Sequence, residues 1–378
     1  MKVMHLLSSL KHDDSERGIY AISHALHKRG DVAVVVAGAD SDDELVQRLE
    51  QDGNYYHRLR MPKKSWTALR QIWRLRRLMR QENPDIIHIH SRVPAWIAHF
   101  ALQGISKRPK VVSSIYGFYP INNYSKALFF ADHIISASRS IDHYLHTQLA
   151  QCPHLPKPPI TCIRRGVDTR LYPYRHKPSV HWLQHVFAEF PELEKKQWLI
   201  FPTAIGNQQG QEWLIDILGN LKDDFPKLHL LIMDEPFLDD GYANHFIYED
   251  FYQKIATLGL LDHVSFIGKH PHDSKDWLSS AQIVLALADK PESIGMTILQ
   301  ALHLGTPVIG WDKGAYHDIL TALYPEGLIR DYNAKVLCAR IAEQLDSKTR
   351  PNISYEYEID TMVNDTLQVY DNLQRSPL

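Results

Sequence analysis

An acidic residue, a glycine and an amide side chain in residues 290–310 are spaced so that they could bind one ligand. Glu292 lies in a loop, Gly295 opens the short apolar helix that follows, and Gln300 comes eight residues after Glu292. Glycine lets the backbone approach a ligand closely, and the first N–H groups of a helix, here those of residues 294–297, can point at an anion. The pattern therefore predicts that Glu292 and Gln300 lie on the ligand-facing side of one rigid element.

A second loop, Phe201–Gly210, has the order that a phosphate cradle requires. An apolar strand comes first, a loop that contains Gly206 and Gly210 follows, and a helix comes next. The loop contains no lysine or arginine, so any phosphate there would be bound without a charged side chain of the loop.

Strands and helices alternate around these loops, which is typical of parallel sheets with crossover helices. The alternation restarts near Trp198. The predicted strands are Lys2–Leu7, Val32–Ala37, Tyr55–Leu59, Asp85–His90, Lys110–Ser114, His133–Ser136, Ile160–Ile163, Trp198–Pro202, His229–Met233, Val264–Ile267, Ile283–Leu287, Pro307–Gly310 and Leu328–Arg330. The predicted helices lie near 16–29, 42–51, 65–82, 94–103, 138–149, 211–222, 245–258, 274–280, 295–304, 334–345 and 355–373.

Two Rossmann-like domains follow from this restart. We expect a first domain at 1–170, joined by the C-terminal helix 355–378, and a second domain at 171–354. Arg170–Lys195 is expected to connect them and to contain a short helix. Ligands of paired α/β sheets bind at the carboxyl ends of the strands, so both loops are expected to face a cleft between the domains.

The segment 290–320 resembles the donor-binding segment of the family 4 glycosyltransferases, which are retaining enzymes of the GT-B fold. The segments 8–18, 111–119, 163–168 and 201–210 resemble other motifs of that family, so the resemblance covers nearly the whole chain. It implies an α/β protein in which two Rossmann-like domains with parallel sheets face a cleft. It also implies a nucleotide-sugar on the second domain and a glycan or lipid-linked acceptor on the first, with no metal ion and no cofactor.

The resemblance assigns Glu292 as the acceptor of a sugar hydroxyl. Tyr116 stands where the family has a histidine that contacts the donor sugar, so Glu292 and Tyr116 are the implied catalytic residues. The implied donor-binding residues are Gly206, Gln209, Gly210, Ser293, Ile294, Gly295, Met296, Thr297 and Gln300. The implied residues of the acceptor and phosphate side are Asp14, Glu16, Arg17, Gly117 and Arg165.

Five positions depart from the family pattern. Ala204 and Gln209 stand where the family has an arginine and a lysine that neutralise the leaving diphosphate. Each such cation stabilises the transition state by a few kcal/mol. Gln300 replaces a glutamate that accepts from the ribose, Tyr116 replaces the histidine, and Asp14 replaces a glycine. The phenol of a tyrosine has a pKa near 10, so Tyr116 is poorly suited to proton transfer at neutral pH.

Composition excludes several other classes of protein. The 378 residues are 44% hydrophobic and 23% charged with a formal net charge of −2, which indicates a globular protein without the basic field of a nucleic-acid binder. Three widely spaced cysteines and no apolar run of transmembrane length favour a cytoplasmic protein. His88 and His90 alternate on a strand and face one side, and we expect them near a ligand rather than on a metal ion.

The segment 63–80 carries seven cations and no anion. On a helix, Arg70, Arg74 and Arg77 form one stripe beside apolar residues. This pattern predicts that the segment lies on the anionic inner face of the cytoplasmic membrane. A solvated outer face of the first domain is the alternative.

Three functions remain open on the sequence. The first is transfer of a hexose from a nucleotide-sugar to a glycan or glycolipid acceptor in cell-envelope polysaccharide or lipopolysaccharide synthesis. The second is a catalytically weak or inactive GT-B protein that serves as a partner or regulatory subunit, because of the departures at Tyr116, Ala204, Gln209 and Gln300. The third is a sugar-nucleotide epimerase, against which stands the lack of a second acid/base group beside Glu292.

Overall fold

Two parallel β-sheets, each flanked by helices, make up the computed structural model. It describes residues 1–10, 14–38, 41–60, 67–234, 242–268, 273–347 and 349–375. The chain divides into a first unit, Met1–Gly166 with Glu356–Leu378, and a second unit, Val167–Tyr355. Each unit contains one of the sheets.

The sheet of the first unit has seven strands in the order β3-β2-β1-β4-β5-β6-β7, all parallel to their neighbours. The strands are Lys2–Leu6 (β1), Val32–Ala37 (β2), Tyr55–Arg58 (β3), Ile86–Ile89 (β4), Lys110–Ile115 (β5), His133–Ser136 (β6) and Ile160–Cys162 (β7). The helices are Asp14–Lys28 (α1), Asp43–Gln51 (α2), Thr67–Glu82 (α3), Arg92–Leu102 (α4) and Arg139–Ala150 (α5), with a 3₁₀ turn at Lys126–Phe130. The central strands are buried on both faces and read as continuous apolar runs such as VAVVVA in β2.

The sheet of the second unit has six parallel strands in the order β10-β9-β8-β11-β12-β13. The strands are Gln197–Phe201 (β8), Leu228–Ile232 (β9), Val264–Phe266 (β10), Ile283–Ala286 (β11), Val308–Trp311 (β12) and Leu328–Ile329 (β13). The helices are Val180–Glu189 (α6), Glu212–Leu221 (α7), Tyr242–Thr257 (α8), Ser274–Ser280 (α9), Met296–His303 (α10), Ala315–Leu323 (α11) and Ala334–Asp346 (α12).

The C-terminal helix Ile359–Arg375 (α13) belongs to the first unit and packs against α1. Its apolar side, with Ile359, Met362 and Tyr370, joins the core formed by the sheet of that unit. Gly166 makes this return possible, because a Cβ there would lie 2.3 Å from the backbone of Glu358. The turn that ends the first unit therefore holds the start of α13.

The strand order of each sheet reverses beside its first strand. In the first sheet β1 lies between β2 and β4, and in the second β8 lies between β9 and β11. At such a point the loops that leave the carboxyl ends of neighbouring strands diverge and leave space for a ligand. The loops after β1, β4 and β5 in one unit and after β8, β9 and β11 in the other are therefore the places where a site can form.

Candidate functional site

The loop that contains Glu292 is held in place by its own backbone and by the start of α11. The Glu292 carboxylate accepts hydrogen bonds from the backbone N–H groups of Ser293 at 2.9 Å and Ile294 at 3.4 Å. Its backbone carbonyl accepts from the N–H of Ala315 at 2.8 Å. The N–H of Ile294, expected to point at an anion of the ligand, is thus bound to the Glu292 side chain.

Gly314 allows α11 to approach this loop. Its backbone adopts φ +55° and ψ −135°, a conformation that residues with a Cβ rarely take. A Cβ on this residue would lie 2.2 Å from the Glu292 carbonyl oxygen. The side chain of Tyr316, in the first turn of α11, is buried close to Glu292, and burial followed by the Glu292 charge raises the pKa of this phenol. Gly314 was not singled out by its sequence context, since the need for glycine arises from contact with a distant loop.

Gly295 begins α10 in the left-handed conformation, with φ +72°, as expected of a helix-opening glycine. Met296 and Thr297 follow in the first turn and are half-buried. Gln300 is only 5% exposed and lies on a side of α10 that packs into the second unit. The structure thus brings Glu292, Gly295 and Thr297 to the same end of one helix, and it places Gln300 one turn further on in buried surroundings.

The loop after β8 is a tight, uncharged turn. Gln208 adopts φ +60° and Gly210 φ +86°, and a Cβ on Gly210 would lie 1.9 Å from the carbonyl oxygen of Leu287. The N–H of Asp289 donates to the carbonyl of Gln208 at 3.1 Å, so this turn and the loop after β11 lie side by side. Ala204 and Gln209 are half-buried within it, and Gly206 is buried.

Asp234, just after β9, brings a carboxylate to this loop. Its side chain accepts a hydrogen bond from the N–H of Ile205 at 2.9 Å. A negative charge therefore lies beside the turn in which the family pattern has two cations. No sequence motif marks Asp234, and its place directly after β9, next to β8 in the sheet, is the signal that identifies it.

In the first unit, Tyr116 and Gly117 follow β5 at the carboxyl edge of the sheet. The Tyr116 hydroxyl lies 2.8 Å from Nδ1 of His90, and the two rings are stacked. The Arg165 guanidinium lies 5.5 Å from the centre of the Tyr116 ring. Arg165 is 6% exposed and fits against α1 because Gly18 has no side chain; a Cβ there would lie 2.5 Å from an Arg165 nitrogen. The structure thus brings Tyr116 and Arg165 together.

The remaining predicted residues of this side lie at the start of α1. Asp14 and Glu16 are in its first turn, and Arg17 follows with a half-buried side chain. The described side chains of this helix begin at Arg17, and Asp13 lies outside the described residues.

Three histidines are buried beneath Tyr116. His5 of β1 is paired in register with His88 of β4, and Nδ1 of His5 lies 3.0 Å from Nε2 of His90. Nδ1 of His88 lies 2.5 Å from the Tyr370 hydroxyl of α13. Sequence reasoning placed His88 and His90 on one face but missed His5, which joins them because β1 and β4 are neighbours in the sheet.

The histidine cluster is electrically neutral at neutral pH. Burial lowers the pKa of His5 to about 3, and burial lowers the pKa values of His88 and His90 well below their usual value, with added repulsion from neighbouring rings and Arg165. One nitrogen of each ring lies within 4.8 Å of the others, a spacing that one metal ion could bridge. Hydrogen bonds to one another, to Tyr116 and to Tyr370 already use ring nitrogens of all three residues.

Neutral buried histidines predict a loss of stability in acid. The unfolded chain takes up these protons below about pH 6.5 and the folded chain does not, so the free energy of unfolding falls as pH drops from about 6.5 towards 3. Between pH 7 and pH 5 His5 alone accounts for about 2 kcal/mol of this fall. Denaturant unfolding measures the free energy of unfolding at the two pH values. The fall in this free energy from pH 7 to pH 5 should be smaller by this amount in His5→Asn than in the wild type. The exposed-histidine control His143→Gln should keep the wild-type dependence, and equal slopes for wild type and His5→Asn would contradict the prediction.

Two family models match consecutive parts of the chain. The model described as Glycosyltransferase Family 4 matches residues 15–171, and the model described as Glycosyl transferases group 1 matches residues 185–359. Together they cover both units of the structure.

Curated relatives are similar at low identity. N-acetyl-alpha-D-glucosaminyl L-malate synthase of Bacillus anthracis is 23% identical over 64% of this chain and 60% of its own length. Lipopolysaccharide core biosynthesis mannosyltransferase LpsB of Rhizobium meliloti is 25% identical over 57% of this chain and 62% of its own length. The chain thus spans about three fifths of the length of these relatives.

Solved structures resemble the chain over its full length. A glycosyltransferase from Rickettsia africae superimposes with a TM-score of 0.79 at 15% identity, covering 100% of this chain and 99% of that one. Anabaena Alr3699/HepE, in complex with UDP and glucose, superimposes with a TM-score of 0.72 at 18% identity and covers both chains completely. The predicted GT-B fold is confirmed.

Proposed function

The chain belongs to the family 4 glycosyltransferases, and from this premise we propose that it transfers a hexose from a nucleotide-sugar to a glycan or lipid-linked acceptor. Transfer forms a bond between the sugar and an acceptor oxygen and breaks the bond to the nucleoside diphosphate, which departs with growing negative charge. The two relatives named above are sugar-transferring or sugar-conjugating proteins by name, and HepE was solved with UDP and glucose, which supports a nucleotide-sugar as substrate.

The Glu292 loop is the observation that carries this proposal. Two backbone N–H groups fix the Glu292 carboxylate, and the first turn of α11 fixes the Glu292 backbone carbonyl. The loop ends at Gly295, which has the left-handed conformation. A carboxylate held in this way is a preorganised acceptor for sugar hydroxyls, because its orientation is set before the ligand arrives. In the same unit the turn Gly206–Gly210 offers backbone N–H groups to the diphosphate.

A catalytically weak or inactive partner protein is the second candidate, and a specific observation favours it. The turn after β8 lacks both family cations, and the Asp234 carboxylate is bound to it through Ile205. A fixed negative charge near a leaving diphosphate raises the barrier to its departure. The two candidates share the fold and differ in whether the protein turns over its ligand.

Nucleotide-sugar binding tests the proposal. We expect one sugar nucleotide from a panel of UDP-, GDP-, ADP- and CMP-sugars to raise the unfolding free energy by about 2.7 kcal/mol at 100 times its dissociation constant. Thermal-shift measurements at millimolar ligand would detect this change, with the free sugars and inorganic pyrophosphate as controls. Absence of a shift with every sugar nucleotide would count against transfer, whereas binding without product in a radiolabelled transfer assay would favour the inactive partner.

The exposed side of α3 supports contact with a lipid-linked acceptor at an anionic membrane. Arg70, Arg74 and Arg77 are exposed, and so are Leu69 and Trp73, with 54% and 69% of their surface accessible. Cations and large apolar side chains on one helix face are typical of a surface that lies on anionic lipid. We propose that the protein works there as a peripheral protein at the inner face of the cytoplasmic membrane; residues 63–66 of the basic segment lie outside the described residues. None of the described helices is long and apolar enough to cross a membrane.

Charge removal on α3 should weaken this contact. We expect Arg70→Gln, Arg74→Gln and Arg77→Gln together to lower binding to vesicles with anionic phospholipid by about a hundredfold at low salt, from about 1 kcal/mol per charge. Vesicle sedimentation measures it. A matched control removes three exposed lysines of the second unit, Lys195, Lys227 and Lys335. If both triple variants bind as the wild type does, the α3 face is only solvated.

A further inference from the structure

Two tyrosine rings hold an arginine at the carboxyl edge of the first sheet. Arg92 is the first residue of α4, and the central carbon of its guanidinium lies 4.5 Å from the centre of the Tyr119 ring and 4.7 Å from that of the Tyr124 ring. Tyr119 lies in the loop after β5, and Tyr124 precedes the 3₁₀ turn Lys126–Phe130. All three side chains are half-buried. This edge lies beside the reversal of strand order at β1, where a ligand of the first unit can bind.

Contacts other than those with the arginine hold both tyrosines in place. The backbone carbonyl of Tyr119 accepts a hydrogen bond from the Tyr144 hydroxyl at 3.0 Å. The Tyr119 ring packs against Gly117, where a Cβ would lie 3.3 Å from the ring. The backbone carbonyl of Tyr124 accepts a hydrogen bond from the indole N–H of Trp96 at 2.9 Å. The two rings are therefore positioned by α4, α5 and the loop after β5, and together they set the place of the guanidinium.

The positive charge of Arg92 is not neutralised within the described part of the chain. Among those residues, no carboxylate forms an ion pair with Arg92 and no oxygen accepts a hydrogen bond from its guanidinium. Burial raises the pKa of the Tyr119 phenol while the Arg92 charge lowers it, and the net rise keeps this ring neutral at neutral pH. A cation–π contact restrains a guanidinium without supplying a negative charge, and it leaves the N–H groups to oxygen acceptors. Arg92 is thus a restrained cation whose hydrogen-bond donors are available to a ligand.

We propose that Arg92 binds a carboxylate or phosphate group of the acceptor and thereby limits transfer to acceptors that carry a negative charge. The proposal rests on the proposed function for the presence of an acceptor on the first unit. A guanidinium can form two parallel hydrogen bonds to either group, because both present two oxygens at a matching spacing. The rings restrain the arginine before the anion arrives, so binding costs little side-chain entropy.

Three sugar probes test the requirement for charge in the unmodified protein. D-glucuronate carries a carboxylate, glucose 6-phosphate carries a phosphate and D-glucose carries no charge. We expect at least one anionic probe to bind about tenfold or more tightly than glucose at low ionic strength, without any nucleotide-sugar present. NMR titrations that follow the side-chain N–H signal of Arg92 in arginine-labelled protein measure this. The anion that binds more tightly identifies the group that the acceptor carries, and two anionic probes that bind no better than glucose would overturn the proposal.

Variants of Arg92 separate its charge from its packing. Arg92→Met keeps a side chain of similar length and should weaken binding of the anionic probe by about tenfold or more, with glucose binding unchanged. Arg92→Lys keeps the charge without the planar fork and should recover part of this loss. Equal affinities of the Met and Lys variants would overturn the proposal, because the loss would then come from altered packing.

Arg80→Met is the matched control for the loss of charge. Arg80 is exposed and lies in the last turn of α3, which leads to the start of β4 at the opposite edge of the sheet. The variant removes the same charge from the same unit and should bind the anionic probe as the wild type does. Equal losses in Arg80→Met and Arg92→Met would overturn the proposal, since the anion would then respond only to the net charge.

The Tyr124 ring can be tested without changing any charge. Tyr124→Phe keeps the ring and should bind the anionic probe as the wild type does. Tyr124→Leu removes the ring and should weaken binding by about two- to fivefold, as expected for one cation–π contact. Equal binding by the two variants would overturn the proposal that the rings hold Arg92 for the anion.

Vesicle binding distinguishes an anion of the acceptor from a lipid headgroup. Arg92→Met should sediment with anionic vesicles as the wild type does, whereas the triple variant of the α3 arginines should not. A loss of vesicle binding in Arg92→Met as large as that of the α3 variant would mean that Arg92 contacts the lipid surface, and the proposal would be overturned.

Failure of this inference can be distinguished from failure of the proposed function. If no sugar nucleotide binds but Arg92 still binds the anionic probe, transfer fails as the function and the anion site remains. If a sugar nucleotide binds and is turned over while Arg92→Met leaves anion binding unchanged, the function stands and the role of Arg92 fails.

Discussion

The double variant Ala204→Arg, Gln209→Lys should bind a nucleoside diphosphate tens to thousands of times more tightly than the wild-type protein. Each new charge-assisted hydrogen bond to a phosphate contributes about 1.5–3 kcal/mol in favourable geometry, and about 1.4 kcal/mol is a tenfold change in affinity. Both positions lie in the glycine turn after β8, are half-buried and carry no charge in this protein. Isothermal calorimetry on the two proteins measures the difference.

Two matched variants separate charge from side-chain length at this turn. Ala204→Met with Gln209→Met adds comparable bulk without charge and should not raise the affinity. Asp234→Asn keeps the acceptor for the Ile205 N–H and removes the negative charge, so it should raise the affinity by about fivefold, equivalent to about 1 kcal/mol.

The outcome also decides between the two proposed functions. Unchanged affinity in the charged variant would mean that this turn is not the phosphate site, or that the acidic residues nearby keep the anion out. Tight binding by the wild-type protein would mean that other groups already neutralise the diphosphate, and the inactive partner would lose its main support. A gain in affinity together with a gain in transfer would identify the missing cations as the cause of weak activity.

The strands of both sheets were predictable because a parallel strand that is buried on both faces consists of a continuous run of apolar residues. Val32–Ala37 and His133–Ser136 begin and end where the sequence predicts, and the helix 274–280 has its predicted bounds. Most other elements differ at their ends by one to three residues, where local sequence constrains the last hydrogen bonds weakly. The restart of the alternation near Trp198 was informative because a second sheet needs a second set of apolar strands.

Helix α11 was missing from the predicted elements although its apolar residues recur at helical spacing. Ala315, Tyr316, Ile319, Leu320 and Leu323 are buried on one side of it. Its first turn follows Gly314, and a glycine at that place is typical of a loop. The helix exists because its buried side packs on β12 and β13, a tertiary contact that the sequence does not display.

Contacts of the candidate site were the least predictable part. The His5–His90 pair depends on β1 and β4 being neighbours, and the Asp234–Ile205 pair depends on the path of two loops. Such pairs join residues far apart in sequence, and no periodic pattern marks them. The sequence could indicate which residue types were missing around a phosphate, but not which carboxylate lies close to the loop.

Gly314→Ala should lower both stability and nucleotide-sugar binding. Its backbone lies in a region that only glycine occupies at low cost, and strain there is about 1–3 kcal/mol before the contact with Glu292 is considered. A Cβ would lie 2.2 Å from the Glu292 carbonyl oxygen, so either α11 or the Glu292 loop must move. We expect a loss of about 3 kcal/mol in unfolding free energy, equivalent to about 6–12 °C in the melting temperature of the second unit.

Gly219→Ala is the matched control, because it adds the same methyl group to the same unit. Gly219 lies within α7 and is exposed, with nothing within 4 Å of an added Cβ, so alanine there should leave binding unchanged and stabilise the helix by about 0.5–1 kcal/mol. Calorimetric melting with and without the nucleotide-sugar gives both quantities for each variant. If Gly314→Ala melts and binds as Gly219→Ala does, the Glu292 loop is not held by α11, and the preorganised carboxylate that carries the proposed function loses its structural basis.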